Sequence, residues 1–577
     1  MNDFVSIRVW IPQGRMAELV LADGERRPMD RDGDLVVAMV PPGTDYKISV
    51  DGGDPYPDPR SAWQPFGVHG HSRAFDAGAF TWTDADFPGV SALGAPTYEL
   101  HVGTFTPEGT LDAATGKLDH LASLGIRMVE LMPVHAFPGE RGWGYDGVGH
   151  YAVQEVYGGP AALQRFVDAA HGRGLGVCLD VVYNHLGPSG NYLTEFAPYF
   201  TDRHMTPWGE GLDFDGEGNS AHVRAFVIDG ALRWMRDFHI DAFRLDAVHQ
   251  IRDDSEYHIL AELSDRVAEL STELGRPLSL VAESDLNDVN MVTPVAEGGL
   301  GMTGQWADDV HHAFRTYLTG EDFGYYADFA EPGVLSHVLR HVFLHDGRWS
   351  SFRGQDWGAP VPDHVDRRRF TVYTENHDQI GNRALGDRLE SFLDPGAIAA
   401  GAALLLLSPH TPMLFQGQEW GTEVPFLFFT DHGEDIGPHV AEGRRAEFAE
   451  HGWTEIYGED FQIPDPQALA TFMASKLDWS ELDSAAARAM LAWYRDLLAL
   501  RAAVFGDGAS DQLVDCDEGA GWFRMERGPV TVVVAPFDSG ADVEEVEGTV
   551  ALAWGEVELA GGTAKLGPHS AAVIRSL

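Results

Sequence analysis

Four short segments carry residues whose types and spacing suit acid and base chemistry on a sugar: DVVYNH (180–185), FRLDAVH (243–249), VAESD (281–285) and TENHD (374–378). Each lies at the end of an apolar run, and together they offer the carboxyl groups of Asp246, Glu283 and Asp378 with Arg244, His185 and His377 beside them. Cleaving a glycosidic bond with retention needs one carboxylate to attack the sugar and a second carboxyl, about 5 Å away, to protonate the leaving oxygen. Strand alternation puts Arg244 and Asp246 on one face, where the guanidinium keeps its neighbour ionised, as a nucleophile requires. Glu283 closes the apolar run LSLVAE, where desolvation raises a carboxyl pKa toward the working pH, as a general acid/base requires. We therefore expect Asp246 as nucleophile, Glu283 as general acid/base, and Asp378 holding hydroxyls of the distorted ring. His185 and His377 are expected to hydrogen-bond sugar hydroxyls near the cut. Singly, each acid also reads as a helix N-cap or ion-pair partner. Four such segments, in this order, argue for a site.

The elements that must position these groups are legible from the period of the sequence. From about residue 98 short apolar strands alternate with helical stretches, the mark of parallel βαβ units. Eight strands are expected at 98–105, 128–133, 176–182, 240–246, 278–283, 301–306, 370–375 and 412–416, with amphipathic helices at 161–171, 223–238, 259–274 and 398–407 between them. Eight such units close into an α/β (β/α)8 TIM barrel, whose active site is built from the C-terminal ends of the strands. A long Gly-, Pro- and aromatic-rich insertion at 184–223 follows the third strand, where long ordered loops shape sites. Residues 1–92 alternate apolar runs with DG, PPG and PDP turns and read as an N-terminal β-sandwich accessory domain. The catalytic barrel is expected over 93–505 and a C-terminal β-sandwich over 506–577.

Sugar sites also need flat apolar surfaces, and Trp143, Tyr145, Trp208, Trp306 and residues 426–429 fall in loops expected at the barrel top. Any single aromatic reads as readily as core. Consecutive His311 and His312 are expected to face different ways on a helix and so make a poor ligand pair. The acidic loop with Asp213, Asp215 and Glu217 could hold Ca²⁺ but reads first as a solvated loop. No metal and no cofactor is expected.

Composition narrows the partners. With 40 basic and 89 acidic residues the formal net charge is −49, which repels nucleic acid and anionic membranes. Lysine occurs only at Lys47, Lys117, Lys476 and Lys565, so Arg carries the remaining positive charge. Two cysteines, Cys178 and Cys516, cannot build a disulfide framework or a cysteine metal cluster. The opening MNDFVSIRVWIP lacks a basic segment followed by an apolar one, and no run of about 18 apolar residues occurs. A cytoplasmic location is expected.

The four strand-end segments resemble the signature regions of the α-amylase family, glycoside hydrolase family 13, and the resemblance spans about residues 98–502. It implies nucleophile for Asp246, acid/base for Glu283 and transition-state stabiliser for Asp378. It further implies that Arg244 partners the nucleophile, that His185 and His377 bind sugar, and that Tyr145 stacks under the sugar on the non-reducing side of the cut. The strings ELHVGTFTPEGT, RGWGYDGVG, DVVYNHLGPSGNYL, AESDLND, ENHDQIGNRA and TPMLFQGQEWG are most similar to family members acting on malto-oligosyltrehalose. The segment PDPRSAWQP is similar to the accessory domain of such enzymes, branching enzymes and isoamylases. The implied reaction is hydrolysis of the α-1,4-glucosidic bond next to a terminal trehalose unit, with a debranching or branching enzyme as the alternative. An enzyme that makes the trehalose terminus is implied as a pathway partner. Gln416 and Gln418 depart from the Met and Glu more usual in the family. Loop position and resemblance together nominate Trp208, Asp285, Asn287, Trp306 and Asp309 for the trehalose end, and Trp143 and Asn376 as further substrate contacts.

Overall fold

The computed structural model describes residues 3–448, 456–458, 461–506 and 508–576. Eight parallel strands close into a barrel: β1 Thr97–Leu100, β2 Met128–Leu131, β3 Gly176–Val181, β4 Ala242–Leu245, β5 Ser279–Ala282, β6 Gly304–Trp306, β7 Phe370–Val372 and β8 Thr411–Phe415. β8 pairs with β1 and completes the ring. Helices α1 Leu118–Leu124, α2 Gly159–His171, α3 Ser220–Asp237, α4 Ile259–Leu274, α5 Asp308–Thr319, α6 Pro395–Leu407 and α7 Ala485–Phe505 wrap it. Between β5 and β6 the chain makes only two 3-10 turns, Val289–Met291 and Val295–Glu297.

Several sequence expectations shift in detail, among them the seventh strand, which ends at Val372 and not at 375. The first strand was expected to run through residue 105 but stops at Leu100. The His101 N–H donates to the Gln416 side chain at 3.0 Å instead of to a strand, and the Thr104 and Phe105 amides donate back to the His101 carbonyl as the helical turn Val102–Phe105. The sixth strand begins at Gly304 and not at 301. The stretch 398–407, expected to be amphipathic, is buried on every face of α6.

The reason for the last lies outside the barrel. Helix α7 and the strands Val530–Ala535 and Ser570–Arg575 cover what would be the solvent face of α6. Each buried leucine there contributes about 1.5–3 kcal/mol relative to exposure. The carbonyls at the helix end are capped by buried arginines: Arg501 donates to the carbonyls of Leu406, Ser408 and His410 at 2.6–2.8 Å, and Arg527 to that of Ser408 at 2.7 Å.

The N-terminal strands form two sheets that share one apolar core containing Val9, Leu19, Val36, Tyr46 and Ile48. Phe196 from the insertion joins that core, and Trp10 packs edge-on against Tyr199 at 4.9 Å. The insertion therefore has a solid backing, and it folds as a short helix, Leu193–Phe196, and a hairpin, Phe200–Thr206 with Gly209–Leu212. C-terminal strands between Asp515 and Arg575 also form two sheets, with a core of Val533, Val543, Leu566 and Ile574. Cys178 and Cys516 are both free and buried. Among the described residues no helix is long and apolar enough to cross a membrane.

Candidate active site

Asp246 immediately follows β4, Glu283 follows β5, and Asp378 opens the short helix His377–Gly381 beyond β7. Adjacent parallel strands bring these ends to one mouth of the barrel. At their centre Arg244 is fully buried and bridges both faces of the cleft. One of its terminal nitrogens donates to Asp246 Oδ1 at 2.8 Å and to both oxygens of Asp180 at 2.8 and 2.9 Å, while the other lies 2.9 Å from Glu283 Oε2. The flat guanidinium rests 4.3 Å from the centre of the Trp306 ring.

The two carboxyls bridged by Arg244 differ in environment. Asp246 has each oxygen held, Oδ1 by Arg244 and Oδ2 by the Asn184 amide at 2.7 Å. Glu283 Oε2 lies 2.9 Å from an Arg244 nitrogen and accepts from the Ala247 N–H at 2.6 Å, which leaves Oε1 as the oxygen free to carry a proton. That amide is aimed by a left-handed turn at Ala247, φ 39°, a strained backbone for a residue with a Cβ. Burial pushes the Glu283 carboxyl up to about 8; the charges of Asp246 and Asp378 add to this and the Arg244 charge opposes it. Asp378 is more open, its side chain 37% exposed, with Oδ1 accepting from Asn382 at 2.9 Å.

A second set of contacts runs behind the cleft. The Tyr145 hydroxyl lies 2.5 Å from Asp180 Oδ2 and 2.8 Å from His377 Nε2. On its other side His377 meets Glu99 twice: Nδ1 faces Glu99 Oε1, and the backbone N–H donates to Oε2 at 2.9 Å. Burial pushes the Asp180 carboxyl up to about 6 despite Arg244. Both histidines expected to reach sugar hydroxyls thus have their ring nitrogens engaged by protein. His185 is bonded to Asn184 Oδ1 and, at 3.0 Å, to the Tyr145 carbonyl, and it stacks on Trp208 at 4.3 Å.

The nominated aromatics separate into two kinds. Gly144, φ 100°, sits so close to Pro133 that a Cβ would lie 2.3 Å from its carbonyl oxygen. This tight turn sends Trp143 inward and Tyr145 toward the cleft. Trp143 is 5% exposed among Phe426, Phe415 and Ile380, bonded to the Leu427 carbonyl at 2.9 Å, so it backs His377 and forms no open platform. Trp306 is 3% exposed and serves as the floor under Arg244. Trp208, 51% exposed at the tip of the insertion hairpin, is the one left open.

Beside Asp378 opens a cavity of about 340 Å³. Its polar lining includes Asp285, Asn287, Asp308 and Asp309, and its aromatic wall includes Tyr325 and Phe352. Asp309 is committed to structure: its carboxylate accepts from Asn287 and from the backbone amides of Leu344 and His345 at 2.7–3.0 Å. Asp285 is paired with Arg353, and its carbonyl accepts from Trp357 at 2.8 Å, which pins the hairpin Arg348–Ser350 and Gln355–Trp357 over the cavity. Asn376 caps the His377 helix, its side-chain oxygen accepting from Gln379 N at 2.7 Å. Asp308, pushed up to about 6 by burial, accepts from the Tyr373 hydroxyl.

His311 and His312 do not face apart as expected: their Nδ1 atoms lie 3.0 Å from each other, because both rings are packed into the protein and His311 leans against Tyr326 and Tyr373. Among the described residues two groups have metal-ligand types close together, Asp84 with His171 and His239, and His204 with Asp215 and Asp254. In the first the histidines already bond Asp84 Oδ2 at 2.7 Å, and in the second Arg203 pairs with Asp215. The reading of the sequence missed Glu99, Asp180, Asn184 and Asp308. The signal for the first two was an acid inside an apolar strand, YEL and CLDVV.

The Alpha amylase catalytic domain model matches residues 72–206. A malto-oligosyltrehalose trehalohydrolase of Arthrobacter ramosus is 49% identical over 98% of this chain and 99% of its own length. One from Rhizobium sp. (strain M-11) is 47% identical over 98% and 97%. The crystal structure of a putative α-amylase from Salmonella typhimurium superposes with a TM-score of 0.90 at 36% identity, covering 100% of this chain and 98% of that one.

Proposed function

Because the chain belongs to the malto-oligosyltrehalose trehalohydrolases of the α-amylase family, we propose a residue-by-residue account of how its cleft carries out their reaction. The protein is a glycosidase that hydrolyses the α-1,4-glucosidic bond adjacent to the terminal trehalose unit of malto-oligosyltrehalose, releasing trehalose and a shortened maltodextrin. The observation that carries the account is the single buried guanidinium of Arg244 joining Asp246 to Glu283.

In the first half of the reaction an Asp246 carboxylate oxygen bonds to the anomeric carbon of the maltodextrin. The bond from that carbon to the trehalose oxygen breaks, and the proton on Glu283 Oε1 passes to that oxygen, so trehalose leaves neutral. In the second half a water gives its proton to Glu283, and its oxygen displaces Asp246, restoring both groups and the anomeric configuration. Arg244 holds and orients Asp246 Oδ1, while burial keeps Glu283 protonated at neutral pH. Asp378, open to the cleft beside both, binds hydroxyls of the distorted ring. Tyr145 presents its ring to the same sugar, with His185 and His377 bracing it. We assign the trehalose unit to the cavity walled by Asp285, Asp308, Tyr325 and Phe352, and a passing glucan segment to Trp208. A cytoplasmic location, working after a synthase that builds the trehalose terminus, fits two free cysteines and a glucan substrate.

Purified protein given malto-oligosyltrehalose and, separately, a maltodextrin of equal length tests the account. Trehalose is expected from the first much faster than any product from the second, and Asp246→Asn is expected to abolish it. Maltose or debranched chains, with no trehalose, would reject the substrate and leave the carboxylates standing.

A further inference from the structure

The buried contacts around His377 fix its protonation state. The Tyr145 hydroxyl has one proton and two close partners, Asp180 Oδ2 at 2.5 Å and His377 Nε2 at 2.8 Å. Asp180 already accepts two bonds from Arg244, so as a carboxylate it accepts the Tyr145 proton too. The contact between Tyr145 and His377 is then a bond only if Nε2 carries a hydrogen. On the far side Nδ1 faces Glu99 Oε1, while Glu99 Oε2 accepts the His377 backbone N–H at 2.9 Å. A carboxylate offers no hydrogen to Nδ1, so Nδ1 carries one as well. These contacts call for a hydrogen on each nitrogen of a ring that is 1% exposed.

We propose that Glu99 is a positioning residue that holds His377 as an imidazolium throughout the catalytic pH range. Glu99 sits on β1, in register with Glu130 of β2, and touches no position open to the sugar. The other charged or titratable groups facing His377 are Tyr145, Asp180, Arg244, Asp378 and His101. Burial and Arg244 disfavour the extra proton; Glu99 outweighs them and pushes the imidazole up to about 9, with Asp378 helping. The cation matters at Asp180, where its charge, with that of Arg244, counters the burial that pushes the carboxyl up to about 6. The same ring lies 3.9 Å from Asp378 Oδ1, so its charge faces the cleft.

Glu99→Gln removes the charge and keeps the shape. The amide oxygen still accepts the His377 backbone N–H, the amide nitrogen donates to a now unprotonated Nδ1, and Nε2–H still reaches Tyr145. Two measurements follow, the kinetic one resting on the proposed reaction and the spectroscopic one independent of it. In protein labelled with ¹⁵N-histidine, with His377→Asn used to assign the signal, wild-type His377 is expected to show two protonated ring nitrogens at pH 7.5 and Glu99→Gln the neutral form. In kcat against pH, Glu99→Gln is expected to move both limbs to higher pH, because the cleft carboxyls, Glu283 among them, lose a neighbouring cation. Each unit of movement changes the rate at a fixed pH on that limb by about tenfold. A role in packing alone would lower kcat by one factor at every pH. A neutral His377 in the wild type, or a Glu99→Gln profile that superposes on wild type after scaling, overturns the proposal. Failure of the wild type to release trehalose instead overturns the reaction and leaves the spectroscopic result decisive for Glu99.

Discussion

Replacing Arg244 with lysine isolates the geometry of the cleft from its charge. The arginine satisfies both oxygens of Asp180, one of Asp246 and one of Glu283, all at 2.8–2.9 Å, with its flat face on Trp306. A lysine keeps the positive charge but concentrates it at one point, on a chain that cannot lie flat on the indole or span two carboxyls on opposite sides. At least two charge-assisted bonds are lost, each worth about 1.5–3 kcal/mol, so about 3–6 kcal/mol of positioning disappears. If that positioning is felt mainly in the transition state, kcat falls by about 10²–10⁴. Trehalose release from malto-oligosyltrehalose, with circular dichroism as the check on folding, measures it. A folded Arg244→Lys variant working within about tenfold of wild type would refute the reasoning, since charge without the fork would then suffice.

Glu283 acts in its protonated form, and its carboxyl sits at about 8, so kcat/KM is expected to be full below that pH and to fall above it; Glu283→Gln should bind substrate at every pH and hydrolyse it at none. Trp143→Ala, emptying a site 5% exposed behind His377, is expected to cost about 3–5 kcal/mol of stability, read as a lowered Tm, whereas Trp208→Ala, 51% exposed, should change stability by no more than about 0.5 kcal/mol and raise KM. Equal Tm losses would show that the two tryptophans are not divided between core and cleft. Arg353→Ala breaks a partly exposed pair with Asp285 worth about 0.2–1 kcal/mol and loosens the hairpin over the cavity, so KM for the trehalose-ended substrate should rise by up to about fivefold with kcat little changed. An unchanged KM would detach that hairpin from the trehalose unit.

The sequence by itself carried the barrel and the strand ends that bear Asp246, Glu283 and Asp378, because strand and helix repeats are written in local periodicity and the barrel top is defined by where each strand ends. It also carried the pairing of Arg244 on β4 with Asp246, two residues on and just past the strand end. It could not sort the aromatics, since Trp143, Trp208 and Trp306 occupy similar loop and strand-end positions and differ only in what the rest of the chain packs against them. Nor could local periodicity reveal that α6 is covered on its outer face, because the cover comes from strands more than a hundred residues later. Glu99 shows the limit most plainly. It lies 278 residues from His377 in sequence and meets it through two hydrogen bonds. Closure of the barrel brings β1 beside β8 and the β7 end within reach, and burial turns that proximity into a fixed charge. Carboxyl types and their strand ends are local properties of the chain; which hydrogen each carries depends on neighbours that only the folded barrel assembles.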